Sequence, residues 1–386
     1  MEREMAAHKM IPVYAIATHA VSALGINTES HWHAVTGNRT GIRQHHDQSL
    51  ADAPFWGAVI DPQPWQLVHA QTTSWPLTAF EKMAVYSALH ALEQLEQIID
   101  LNETVFILST TKGNIELLGE VPDEKIGLMH SAEAVSKALA IPAKPVVISH
   151  ACVSGVVALQ YAQALLQSGK YKNAIVTGCD RFSKFVLSGF QSFHAVADGP
   201  CKPFDVARSG INLGEAAATI VLSTELHNEP LAQLLSGATS NDANHISGPS
   251  RTGEELGLAI SKALSLAGLQ SSDIDMISAH GTATLYNDEM ESKAFDMLGM
   301  NNVPLHSLKG FVGHTLGAAG VLESVMIIES LRHQQLIPSA GFENLGVPKS
   351  LNITRSATNA KINYALKTAS GFGGCNATAV WKAADL

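Results

Sequence analysis

The chain has 386 residues, of which 46% are hydrophobic and 16% charged, and its formal net charge is −10. This composition belongs to a folded chain with a large core rather than a disordered one, and the length fits two fused domains or one duplicated domain. The acidic balance argues against nucleic acid as a partner, and no apolar stretch reaches the roughly 18 residues of a membrane span.

The opening "MEREMAAHKMIPVYAIA" lacks the sustained apolar segment of a signal peptide. "VYAIATHAV" (13–21) and "TVFILST" (104–110) read as strands, and residues 77–99 between them as an amphipathic helix. "PVVIS" (145–149) and "NAIVTG" (173–178) are short β-branched runs. Residues 153–168 between them place Gln160, Gln163 and Gln167 at helical spacing in an otherwise apolar or small background, so this helix is mostly buried. Gly169 is a natural helix stop. Cys152 therefore falls at the N-terminal end of a buried helix within a β-α-β unit.

A similar order recurs. "DIDMISAH" (273–280) reads as a strand ending in His280, and "PLHSLKG" (304–310) precedes a turn and a helix over 315–331. "KTASGFGGCNATAVW" (367–381) closes the chain with a glycine-rich turn and a strand. The alternation predicts an α/β fold made of two similar halves, residues 1–230 with the thiol and residues 231–386 with the histidines. The four cysteines (Cys152, Cys179, Cys201, Cys375) form no CxxC pair, which fits a reducing cytoplasm and gives no support to a metal site.

A helix N-terminus favours thiolate over thiol, and its free N–H groups can hold an oxyanion. Cys152 is thus a candidate nucleophile, and equally a small buried hydrophobe. "AHGTATLYNDEMES" supplies His280, Thr282, Thr284, Asn287, Asp288 and Glu291, and "LKGFVGHTLGAAGVLES" supplies Lys309, His314 and Glu323. His314 precedes a helix start, where the dipole disfavours imidazolium, so it is expected neutral and able to donate. Taken singly, each of the 17 histidines is more often a surface or packing residue. Glu323 lies on an apolar helix and needs a partner, for which Lys309 is the obvious candidate.

Six segments appear in order: "ACVSG" at 151–155, "KPFDVARSGINLGEAAA" at 202–218, "NDANHISGP" at 241–249, "AHGTAT" at 279–284, "KGFVGHTLGAAG" at 309–320 and "GFGGCNA" at 371–377. With them the chain resembles, over nearly its whole length, the Cys-His-His β-ketoacyl-acyl carrier protein synthases of the thiolase-like superfamily. The resemblance implies a five-layered α-β-α-β-α fold from two similar halves, and decarboxylative condensation of a malonyl thioester with an acyl primer held on Cys152. It implies an oxyanion hole from the backbone N–H groups of Cys152 and Phe372, with Phe372 as a gating aromatic. His280 and His314 would bind the malonyl thioester, and Lys309 with Glu323 would orient them. Thr282, Thr284 and Ser247 would bind the phosphopantetheine arm. No metal or other cofactor is implied. The implied partners are an acyl carrier protein and a second subunit, either a copy of the chain or a paralogous chain-length factor.

Three departures stand out. His150 replaces a threonine common two places before the nucleophile, and is read as an interface residue or as a bias on the thiol. Cys375 replaces the threonine of "GGTN" and is read as a packing variant. Lys112, in "LSTTKGNI", falls near where elongating relatives line the acyl tunnel, and is read either as a solvated or interface residue or as shaping a tunnel for an aryl or polyene primer, as in aryl-polyene pigment synthases. Arg39, Arg43, Lys202 and Arg208 are candidates for a basic docking rim. The competing readings are a chain-length-determining partner without activity, which usually lacks the nucleophile kept here, and a degradative thiolase, which needs a second cysteine near the final turn.

Overall fold

The computed structural model describes residues 11–226, 229–243 and 248–384. Eleven strands build one mixed sheet: β1 (Val13–Ser22), β2 (Thr104–Ser109), β3 (Val146–Ile148), β4 (Asn173–Asp180), β5 (Ala216–Ser223), β6 (Ala232–Asn241), β7 (Met276–Ser278), β8 (Pro304–His306), β9 (Asn352–Ile353), β10 (Tyr364–Gly371) and β11 (Cys375–Ala383). Their order is β9-β8-β7-β10-β11-β6-β1-β5-β4-β2-β3.

The order hides a repeat. β1 is antiparallel to β5, β5 to β4, and β4 runs parallel to β2 and β2 to β3. In the second block β6 is antiparallel to β11, β11 to β10, and β10 runs parallel to β7 and β7 to β8. The blocks join through a short pairing of Val13, Tyr14 and Ala15 with Leu234, Gln233 and Ala232. β2, β4 and β5 are buried along their whole length, which a strand can be only when helices cover both faces of its sheet.

Those helices form three layers. α1 (Ala79–Leu92) and α2 (Leu128–Ala138) cover the outside of the first block. α1 starts at a capping box between Thr78 and Glu81 and ends at Leu92, short of the expected residue 99. α3 (Ser154–Gln167) lies between the blocks, α4 (Lys184–Ser192) follows β4, and α5 (Glu254–Ala267) and α6 (Leu285–Met297) cover the outside of the second block. α7 (Ala319–His333) joins α3 in the central layer and is buried over residues 319–331. The result is the expected five-layered α-β-α-β-α arrangement.

The central helices cross backbone to backbone. A Cβ on Gly155 would stand 2.7 Å from Val321 N, and one on Gly320 would stand 2.5 Å from Val156 N, so neither position has room for a side chain. The glutamine stripe of α3 serves an unexpected end. Gln160 donates to Ala238 O and Thr378 O at 3.1 and 2.8 Å, and Gln163 donates to Leu234 O at 2.8 Å. These amides tie α3 to the backbone of the second block; Gln163 is buried, while Gln160 and Gln167 are partly exposed. The terminal segment also differs from expectation. It is a hairpin of β10 and β11 closing at Gly371 and Cys375, rather than a turn and one strand.

Candidate active site

The first block delivers the thiol. After β3 the chain turns at Ser149–Cys152, with Ala151 at φ +45°, a conformation a residue with a Cβ rarely takes. The turn is closed by the Ser154 hydroxyl, which accepts from His150 N–H at 2.7 Å and donates to Ala151 O at 2.6 Å. Cys152 follows at the start of α3, 8% exposed. The hairpin turn faces it: a Cβ on Gly371 would meet Cys375 Sγ at 2.9 Å and Cys152 N at 3.1 Å, and the Phe372 N–H donates to the Cys152 sulfur. Burial pushes the Cys152 thiol up to about 12, over the opposing pull of Lys309 and the Phe372 amide. The expectation of a resting thiolate is therefore corrected. Desolvation outweighs the neighbouring charges, and the group rests as a thiol.

The second block delivers the histidines. Glu291 on α6 accepts from His280 N–H at 2.8 Å and Gly281 N–H at 2.7 Å, which fixes the chain just beyond β7. Its carboxylate also receives Thr368 Oγ and Asn287 Nδ2. The sequence reading noted Glu291 without a task, because its contacts are to backbone groups that no motif displays. The His314 backbone N–H donates to Asn212 O at 2.7 Å. Its Nδ1 accepts from Leu316 N–H at 3.3 Å, so the ring proton sits on Nε2, a buried atom with no partner among the described residues.

Cys152, His280 and His314 bring one sulfur and two ring nitrogens within 4.8 Å of one another. The imidazoles meet edge to face with centroids 5.4 Å apart. Both are held well below the ordinary histidine value, by burial first and then by Lys309, with further pressure from Lys367 and, for His280, from His314. They are neutral donors. Lys309 Nζ lies 2.7 Å from Glu323 Oε1, both groups buried, as expected. A second cation was not expected: Lys367 Nζ lies 2.8 Å from Glu323 Oε2. Burial pulls Glu323 upward, but Lys309 and Lys367 together hold it below its ordinary value.

Cys152, His280 and His314 line a cavity of about 500 Å³ with Thr282, Thr284, Phe190, Phe193 and Phe372 on its wall. The Thr282 and Thr284 hydroxyls are 2.8 Å apart. Phe372 stacks on Phe190 and meets Phe193 edge-on, both with centroids at 5.7 Å.

Other candidates lie elsewhere. Lys112 does not line the cavity; its ammonium reaches Thr111 O at 3.4 Å. Its backbone is held by Asp180, a buried carboxylate that also receives Thr110 Oγ, Thr111 N–H and Gly317 N–H, and so ties that loop to the His314 turn. His150 is exposed and does not line the cavity. Cys375 is buried, and its Sγ lies 3.4 Å from Phe372 O. Arg208 is buried at the cavity wall and donates to Asp205 O at 3.0 Å, while Lys202 pairs with Glu343 at 3.4 Å and Arg43 with Asp61. Arg39 is exposed. Ser247 lies outside the described residues. No helix among the described residues is long and apolar enough to cross a membrane.

Family models agree with this geometry. One described as beta-ketoacyl synthase, N-terminal domain, matches residues 116–228, and one described as beta-ketoacyl synthase, C-terminal domain, matches residues 231–343, together more than half of the chain. A relative from Mycobacterium leprae (strain TN), named 3-oxoacyl-[acyl-carrier-protein] synthase 2, is 26% identical over 97% of each chain. A beta-ketoacyl synthase structure from Burkholderia phymatum STM815 shares the fold with a TM-score of 0.87 at 24% identity, covering 97% of this chain and all of that one. A chain from the complex of a ketosynthase with its chain length factor from Xenorhabdus doucetiae has a TM-score of 0.81 at 23% identity, over 97% and 98% of the two chains.

Proposed function

The chain belongs to the beta-ketoacyl synthase family and is an acyltransferase, and from that premise we propose a two-stage condensation divided between the blocks. In the first stage Cys152 sulfur attacks the thioester carbonyl of an acyl primer on an acyl carrier protein. A C–S bond forms to Cys152, the carrier's C–S bond breaks, and the Cys152 proton leaves with the pantetheine thiol. In the second stage a malonyl thioester loses its carboxylate as carbon dioxide. The electron pair of the broken C–C bond passes to the thioester oxygen as an enolate. The α-carbon then attacks the acyl group, a C–C bond forms, and Cys152 sulfur leaves as the electron pair returns to it.

What needs stabilising is negative charge on an oxygen, and neutral donors held in a dry cavity do this without reorganising. The observation that carries the reading is the meeting of Cys152, His280 and His314 within 4.8 Å in one cavity. The Phe372 amide on the sulfur supports an oxyanion site there, and the paired threonine hydroxyls support contacts to the pantetheine arm. The chemistry asks for no cofactor beyond that arm, and we place it in the cytoplasm. The phenylalanine wall supports a flat, unsaturated or aryl primer in preference to a plain saturated one. A second subunit is part of the reading: β3, half-buried, ends the sheet with an unpaired edge beside exposed His150, and such an edge invites another chain. That subunit is a second copy or a paralogous chain-length factor.

Incubation with saturated, unsaturated and aryl acyl carrier protein thioesters, followed by intact mass measurement, tests the proposal. A mass gain absent from Cys152→Ala is expected, with the aryl or polyene primers loading best. Acylation retained in Cys152→Ala refutes the assignment, and acetyl-CoA-dependent cleavage of a 3-ketoacyl-CoA would favour a thiolase instead.

A further inference from the structure

Behind the two histidines runs a row of side chains that the condensation leaves without a task. β10, β7 and β8 lie side by side and parallel, and their register sets Lys367 opposite Ser278 and Ser278 opposite His306. All three residues are buried. Lys367 Nζ lies 2.8 Å from Glu323 Oε2, 3.1 Å from Ser278 O and 3.4 Å from Ala279 O. Ala279 is the residue immediately before His280. The other Glu323 oxygen is taken by Lys309 at 2.7 Å, so two ammonium groups share one carboxylate. The Lys367 ammonium also donates to Thr368 O at 2.5 Å, so it satisfies three buried carbonyls, and removing it costs stability. Glu323 already has Lys309 as counter-ion, so neutralising that carboxylate does not by itself require Lys367.

We propose that Lys367 is a positioning residue for the decarboxylation: a second buried cation that shares Glu323 with Lys309 and grips the backbone directly before His280. It acts in two ways. Its bonds to the Ser278 and Ala279 carbonyls fix where the His280 ring stands, and a misplacement of about 1 Å can cost about a hundredfold in rate. Its charge leaves the trio of Lys309, Lys367 and Glu323 one positive charge in excess, and both cations disfavour imidazolium on either ring.

The groups that face these rings are few. His280 is surrounded by His314, Lys309 and Lys367, with Glu291 holding its backbone and Cys152 across the cavity. Lys367 is faced by Glu323, Lys309, Glu291 and His306. Lys367 has no contact with the Cys152 sulfur, so loading of the primer and loss of carbon dioxide should separate.

The inference rests on the condensing reading above, and one set of assays distinguishes the two. Wild type and Lys367→Met are compared for Cys152 acylation by intact mass, and for carbon dioxide release from malonyl-acyl carrier protein across pH. Lys367→Met should load within about twofold of wild type while carbon dioxide release falls about tenfold to a hundredfold. The acid limb of its rate profile should move up by about one pH unit or more, since removing a nearby cation favours the protonated histidines. The double variant Lys367→Met, Glu323→Gln restores the single excess positive charge and should return the limb toward wild type. Should Lys367→Met not fold, Lys367→Gln, which drops the charge and keeps two donors on a side chain one bond shorter, must show the same shift of the limb. An unmoved limb in the folded single variant, or a double variant that only adds its losses, reduces Lys367 to packing and overturns the proposal. A wild type that neither loads nor decarboxylates overturns the condensing reading itself, and this inference with it.

Discussion

At Cys152 two effects oppose each other. Burial disfavours the thiolate, Lys309 and the Phe372 amide favour it, and burial prevails at about 12. Alkylation by iodoacetamide should therefore accelerate roughly tenfold for each pH unit from neutrality into the alkaline range, because only the thiolate reacts. A plateau below the ordinary thiol value would show that the helix terminus governs instead. At His314 the donor is Nε2, set by the Leu316 bond to Nδ1. His314→Ala should cut carbon dioxide release from malonyl-acyl carrier protein by about a hundredfold to a thousandfold, the scale of one lost oxyanion donor. Cys152 acylation, which does not use that donor, should persist, and parallel intact-mass and gas-release assays check the split. Residues of this kind were legible because each stands in a motif with a turn or helix start beside it. Lys367 and Asp180 were not. A lysine inside a strand or an aspartate at its end reads as solvated until the helix or turn above it is known, and only the second oxygen of Glu323 and the Gly317 amide reveal their places.

The elements that carry these residues meet at the α3–α7 crossing. α3 begins just after the thiol and α7 carries Glu323, so the distance between the blocks' chemistry is set by the contact of Gly155 with Gly320. A methyl group on Gly320 would meet Val156 N at 2.5 Å and Gly155 C at 2.9 Å, both backbone atoms. Gly320→Ala should lower stability by about 2–3 kcal/mol, the cost of overpacking a rigid contact, read as a lower urea midpoint. Its remaining folded fraction should condense poorly while still binding carrier protein, because the two halves of the site are pushed apart. An unchanged midpoint would mean that the helices slide freely. Sequence periodicity found most of these elements: β-branched runs gave the strands, and the apolar run of 153–168 gave α3. It missed two things for one reason. Whether a polar or small side chain faces water depends on what is opposite. The glutamines of α3 face strand carbonyls, and the small residues of β10 are enclosed between β7 and β11, so neither pattern announces its burial.

At the scale of the whole molecule, the neutral histidines buried inside and outside the site set the response to acid. Burial, the largest cause in each case, holds His19 down to about 3, His31 to about 4 and His306 to about 3, and keeps His280 and His314 well below 6.5. Below their ordinary value of 6.5 the unfolded chain binds protons that the folded chain refuses. Their contribution is thus whole above that pH and falls as pH drops toward the folded values, by about 1.4 kcal/mol per pH unit for each histidine. Asp288, raised to about 7 by burial, works the other way, since the folded chain keeps a proton the unfolded chain releases. Asp180 and Glu215, also raised by burial, act with it. These acids offset part of the histidine loss, and the histidines outnumber them, so urea midpoints should fall steadily from pH 6.5 downward. His19→Phe isolates one contribution, because phenylalanine keeps the ring contacts with Tyr86 and His90 and cannot titrate. Relative to wild type, the variant should lose about 2 kcal/mol less between about pH 6.5 and about pH 5. Equal losses in the two proteins would show that His19 takes up its proton in the folded state.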